Sequence, residues 1–97
     1  MYAVIALQLA HSFNIRQCKQ KLALPILFSD SDELFLSNGD KKFVYVFQYG
    51  VVSFFNHSPQ EINELVQRLN PNAPAWQEQE LSEKNSQKMY RIYIMRK

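Results

Sequence analysis

The dipeptide Asn38-Gly39, set between the apolar runs Glu33–Ser37 (ELFLS) and 42–47 (KFVYVF), constrains this chain more than any other feature. Both central residues of a type I′ turn need positive φ, which Asn and Gly tolerate best, so the two runs are expected to pair as an antiparallel hairpin. A second reversal falls at Gln48-Tyr49-Gly50, a tight turn or a glycine bulge, and Val51–Phe55 (VVSFF) reads as the returning strand. One long bent strand is the alternative to two. Phe43, Tyr45 and Phe47 alternate with Val44 and Val46; both sets are apolar, so this strand is expected to be buried on each side.

The flanking segments supply two helices and two further strands. Residues 2–9 (YAVIALQL) form a continuous apolar run, which suits a strand covered on both faces and central in a sheet. Ser12 or Asn14 can cap a short helix with Ile15, Cys18 and Leu22 on one face and Arg16, Lys19 and Lys21 on the solvated one. Pro25 forces the chain out of helix, which places the end near Leu22. Residues 26–28 read as a brief extended piece and 29–32 as a polar turn. Ser58-Pro59-Gln60-Glu61 is the clearest helix start: a capping box, with proline where a missing N–H costs nothing. Ile62, Leu65, Val66 and Leu69 continue it as an apolar stripe that Asn70-Pro71 ends. After a turn around Pro74 come Trp76 and an acidic patch of Glu78, Glu80 and Glu83, with an optional strand near Leu81. Residues 89–95 (MYRIYIM) close the chain as a strand. The expected fold is α+β: a two-layer sandwich of two helices on a mixed, mostly antiparallel sheet, in a ferredoxin-like β-α-β-β-β-α-β order with an added hairpin strand.

Size and composition narrow the function. A chain of 97 residues fits one domain, 1–97. A domain of this size buries roughly 60–65% of its extended surface, which leaves little depth for an enclosed active site. The hydrophobic fraction of 46% argues against disorder, and a net charge of +2 does not demand a nucleic-acid partner. With Gly39 and Gly50 as the only glycines, no glycine-rich phosphate loop can form. Cys18, the single cysteine, excludes an internal disulfide and any multi-cysteine metal site, and fits a reducing compartment. The apolar start lacks the basic flank and cleavage pattern of a signal peptide and is about half the roughly 20 residues needed to cross a bilayer. The expected location is cytoplasmic, with no membrane contact from these residues.

The candidate chemistry is sparse. His11 and His57, the two histidines, each end a strand-like run and are expected in turns or facing solvent; no local spacing joins them to Asp30, Asp32 or Glu61 as a metal set. Cys18 falls on the apolar stripe of its helix, where a small buried thiol is the ordinary occupant. The run 29–33 (SDSDE) lacks the spaced oxygens and central glycine of a calcium loop. Lys84, Lys88, Arg91, Arg96 and Lys97, beside Tyr90 and Tyr93, could contact a partner or RNA. That use would need exposed aromatics standing beside them on one open face.

The segment 43–69, FVYVFQYGVVSFFNHSPQEINELVQRL, resembles the family of unknown function named for proteins required for meiotic nuclear division, with bacterial, fungal and mitochondrial members. The family signature runs from an aromatic strand through a Tyr/Phe-Gly-Val-Val turn into a strand, a polar link and a helix. Phe47, Tyr49, Gly50, Val51, Val52, Phe54 and Phe55 match it, as structural positions. Gln48 stands where the family often has a basic residue, and Phe55 stands near a frequent tryptophan. The resemblance implies an N-terminal domain of a longer, membrane-attached architecture. It also implies an assembly or tethering role linked to organelle translation, with no established catalytic residues.

Together these readings lead to a non-catalytic interaction domain that takes no cofactor or metal and shows no evident small-molecule substrate. It would self-associate or dock a protein partner, and the terminal strand, if it lies at a sheet edge, offers unpaired backbone groups for strand addition. The alternative is an RNA- or ribosome-binding module using the basic C-terminal residues. A small hydrolase or ligand-binding regulator would require a polar pocket around His11 or His57.

Overall fold

A computed structural model describes residues 3–72 together with the backbone of 92–96. Its elements are β1 (Ala3–Gln8), α1 (Ile15–Leu22), β2 (Ile26–Ser29), β3 (Glu33–Ser37), β4 (Phe43–Phe47), β5 (Val51–Phe55), α2 (Pro59–Leu69) and β6 (Ile92–Arg96). The chain is α+β, and its strands lie in the order β2-β3-β4-β5-β1-β6. Every neighbouring pair is antiparallel, so the expected mixture of pair directions is replaced by one. The sheet also holds a strand more than the expected order, because the brief piece after Pro25 is a full member, β2. The optional strand near Leu81 and the acidic patch at Glu78, Glu80 and Glu83 lie outside the described residues.

Local chemistry explains most boundaries. The Asn14 side chain accepts the Gln17 amide and starts α1. Pro25 disfavours helix at Leu24, and Ala23 ends α1 in a left-handed conformation, its amide bonded to the Lys19 carbonyl. At α2 the capping box is complete. Ser58 Oγ accepts the Glu61 amide at 3.2 Å, and the Ser58 amide donates to Glu61 Oε1 at 2.8 Å.

The two hairpin reversals differ. At the second, three residues link β4 to β5, with Gly50 at φ +96 and its amide donating to the Phe47 carbonyl at 3.0 Å. The first is wider than the two-residue type I′ turn expected from Asn38-Gly39. Ser37 pairs with Phe43, leaving 38–42 in the loop, and positive φ falls on Gly39 and Lys41 rather than on Asn38. The Asn38 side chain is held by His57, which accounts for its departure from the turn pattern.

Alternation sorts the sheet into two faces. Leu7, Leu34, Leu36, Val44, Val46, Val52 and Phe54 point to one side and form a single core with Ile15, Cys18 and Leu22 of α1 and Ile62, Leu65, Val66 and Leu69 of α2. Both described helices therefore cover the same face. Each fully buried aliphatic or aromatic side chain here contributes about 1.5–3 kcal/mol of transfer free energy. Phe43, Tyr45 and Phe47 point to the other face and are only half-buried, against the expectation of burial on both sides. Both described helices lie on the opposite face and give them no cover.

Candidate functional site

Strand β2 is one edge of the sheet, and it carries the largest exposed apolar cluster among the described residues. Ile26, Leu27 and Phe28 are 51%, 53% and 49% exposed. Ile26 pairs with Leu36 and Phe28 with Phe35, so Leu27 is an extra residue, bulged out of the ladder. The bulge and Pro25 interrupt the regular edge, which leaves side chains rather than a long row of backbone groups as the contact surface. Pro25 still accepts the Ser37 amide at 2.9 Å, anchoring the start of the strand. At its other end, Asp30 Oδ1 accepts the amides of Asp32 and Glu33, both at 2.8 Å, so the acidic run shapes a turn.

The face away from the helices carries an aromatic ladder. Phe43 stacks on Phe35 (centroids 5.4 Å apart) and Phe35 leans on Tyr45 (5.0 Å); Tyr45 stacks on Phe47 (4.4 Å) and Phe47 on Tyr49 (5.2 Å). The rings turn their faces to one another, a geometry that stabilises the sheet. Tyr49 ends the ladder and is 61% exposed. Tyr45 Oη donates to Glu33 Oε2 at 2.7 Å, and that bond, then partial burial and the neighbouring carboxylate charge, raises the phenol above its ordinary value.

The two histidines sit in different surroundings. His11 is exposed. His57, expected in a turn or facing solvent, is 9% exposed, with its ring edge-on to Phe54. Its Nδ1 lies 2.8 Å from the Phe55 carbonyl, which can only accept, so Nδ1 carries the proton. Nε2 then accepts from Asn38 Nδ2 at 3.0 Å. Burial depresses the imidazole pKa, keeping a neutral ring with both nitrogens engaged, which is a structural role. Cys18 is buried, and desolvation raises its thiol pKa, away from the thiolate a nucleophile requires.

A cleft of about 560 Å³ opens where the start of α1 meets the β2–β3 and β4–β5 turns, lined by residues that include Arg16, Lys19, Asp30, Ser31 and Gln48. Neither histidine is among the described residues that line it. Among the described residues no group of three His, Cys, Asp or Glu side chains could hold a metal ion, and no helix is long and apolar enough to cross a membrane.

Of the basic positions singled out in the sequence, Lys84, Lys88, Arg91 and Lys97 lie outside the described residues. Arg96 ends β6, whose place beside β1 makes it the second sheet edge. Of the other residues singled out in the sequence, Phe47 lies on the ladder, Tyr49 and Gly50 in the turn, and Val52 and Phe54 in the core. Val51 is buried and Phe55 half-buried on the opposite face. Sequence reasoning missed the β2 patch; its signal, three apolar residues directly after a proline, was present but had no partner by which to place it. No protein-family model, curated protein or solved structure matches the chain.

Proposed function

We propose that this chain is a non-catalytic interaction domain that docks another protein or a second copy of itself. The observation that carries the reading is the exposed Ile26-Leu27-Phe28 cluster on edge strand β2. Three large apolar side chains on one edge strand, each about half exposed, mark that edge as a binding surface. The order of elements fits a ferredoxin-like core with an inserted hairpin. β5 and β6 are both antiparallel to β1 and therefore parallel to each other, joined through α2 with β1 between them. On this reading the chain is the N-terminal domain of the family required for meiotic nuclear division, with the assembly and tethering role linked there to organelle translation.

The test is light scattering across protein concentration, paired with selection of binding peptides from a displayed library, on the wild type and Leu27→Lys. The reading expects self-association or a selected ligand, lost in Leu27→Lys at unchanged thermal stability. A wild type that stays monomeric and selects nothing overturns it. So does a Leu27→Lys variant that loses stability but keeps its binding.

The second reading, an RNA-binding module using Lys84, Lys88, Arg91, Arg96 and Lys97, draws on the open aromatic face. The stacked rings have few free faces for bases, and Glu33 adds negative charge to that surface, so it stands second. Salt-sensitive binding to single-stranded RNA would support it; no binding at low salt ends it.

A further inference from the structure

Three polar contacts join the β3–β4 loop to the connection after β5 and the first turn of α2. Asn38 Nδ2 meets His57 Nε2 at 3.0 Å, Asn56 Nδ2 donates to the Lys41 carbonyl at 2.6 Å, and Lys42 Nζ pairs with Glu61 Oε2 at 2.7 Å. Both sides of this seam hold residues in the left-handed region, Lys41 at φ 59 and Asn56 at φ 63. Side-chain-bearing residues, lysine above all, persist there when their surroundings impose the conformation. The loop's own backbone supplies two bonds, Asn38 amide to Lys42 carbonyl at 2.8 Å and Lys42 amide to Gly39 carbonyl at 3.2 Å. The loop therefore depends on the seam to keep its shape.

We propose that the His57–Asn38 contact is an acid-sensitive latch that holds the β3–β4 loop closed against the start of α2 and releases it when His57 gains a proton. The neutral ring accepts from Asn38 through Nε2, while Nδ1–H is committed to the Phe55 carbonyl. Protonation turns Nε2 into a second donor that points at the donor Nδ2. Asn38 must then turn over or withdraw, and a cation in this buried position gains hydration if the loop opens. Among the described residues, the charged groups that act on the ring are Glu61, which favours the proton, and Lys42, which opposes it. They are paired to each other, so neither supplies a free counter-charge. Released, the loop sheds the strain at Lys41, and residues 38–42 become mobile at one end of the sheet while the core beneath stays intact. The device is independent of what binds at β2.

Hydrogen exchange on the intact chain tests this, with protection factors corrected for intrinsic rate and followed from about pH 7.5 to about pH 5, across the ordinary imidazole range. In the wild type the Asn38 and Lys42 amides should lose protection as pH falls through the lower half of that range, by up to about tenfold per pH unit, and ahead of the His57 ring signals by NMR because burial lowers the closed ring's pKa. Core amides at Val44 and Val46 should hold. In His57→Gln the loop should show no such step. Asn38→Ala, which removes the contact without touching the buried ring, should leave the loop poorly protected at every pH. A flat wild-type profile overturns the latch. So does the same fall in His57→Gln or Asn38→Ala, or a loss of loop and core protection together.

Discussion

Replacing Gly50 by alanine should destabilise the fold by about 4 kcal/mol, against about 1–2 kcal/mol for the same change at Gly39. Both glycines hold positive φ, +96 and +120, so both variants carry the conformational penalty of an L residue in that region. Only Gly50 adds a collision. A Cβ there would sit 1.9 Å from the Ala10 carbonyl oxygen and 2.6 Å from its carbon, whereas at Gly39 the nearest atom is Lys42 Cδ, at 3.8 Å. Backbone cannot swing aside as a side chain can, so the β4–β5 turn must separate from the end of β1. That movement breaks the bonds from the Leu9 and Ala10 amides to the Gly50 carbonyl, 2.9 and 3.3 Å, each contributing about 1 kcal/mol net. It also strains the Gln8 side chain, whose Nε2 donates to the Ala10 and Tyr49 carbonyls. In a domain whose total stability is about 5–15 kcal/mol, the Gly50→Ala loss is a large share. Thermal melts followed by circular dichroism should place its midpoint roughly 15–30 °C below the wild type, and Gly39→Ala roughly 5–15 °C below. Variants of equal stability would show that the turn can slide away from β1 at little cost, and would refute the argument.

Other outcomes follow from the caps, the core and the aromatic face. Ser58→Ala removes half of the capping box and should lower stability by about 1 kcal/mol in urea titrations. Glu61 is held down to about 2 by Lys42 and the Ser58 amide, so its contribution is complete above 4.5 and disappears as pH falls from there toward 2. The carboxylate is partly exposed, which limits that loss to about 1 kcal/mol after solvent screening, and Glu61→Gln should flatten the acid limb of a stability-against-pH curve. Leu34→Ala leaves a cavity between sheet and helices and should cost about 2–5 kcal/mol by the same urea measurement. The Tyr45 phenol should ionise above the ordinary tyrosine value in an ultraviolet titration, and Glu33→Gln should bring it down.

The chain's short-range chemistry is legible in the order of its residues alone. Ser58 caps α2 at the position its side chain indicates, Asn14 caps α1 as one of the two residues that could, and Ile15, Cys18, Leu22, Ile62, Leu65, Val66 and Leu69 are buried as their helical spacing requires. The break at Gln48-Tyr49-Gly50 separates two strands, and residues 3–8 are paired on both sides. These signals act over one to four residues, where hydrogen bonds and side-chain alternation are settled by neighbours along the chain. What depended on distant partners was decided by the tertiary structure. His57 is buried because Asn38, 19 residues away, closes over it, and the same contact draws Asn38 out of the tight turn its dipeptide favours. Phe43, Tyr45 and Phe47 are as apolar as Val44 and Val46, yet half-exposed, because both helices pack on the valine face. Ile26, Leu27 and Phe28 read as an ordinary apolar run, and become a surface only because β2 ends the sheet. Hydrophobicity along a strand states which side chains can be buried; which face receives the helices, and which strand is left at the edge, is fixed by pairings between segments far apart in the chain.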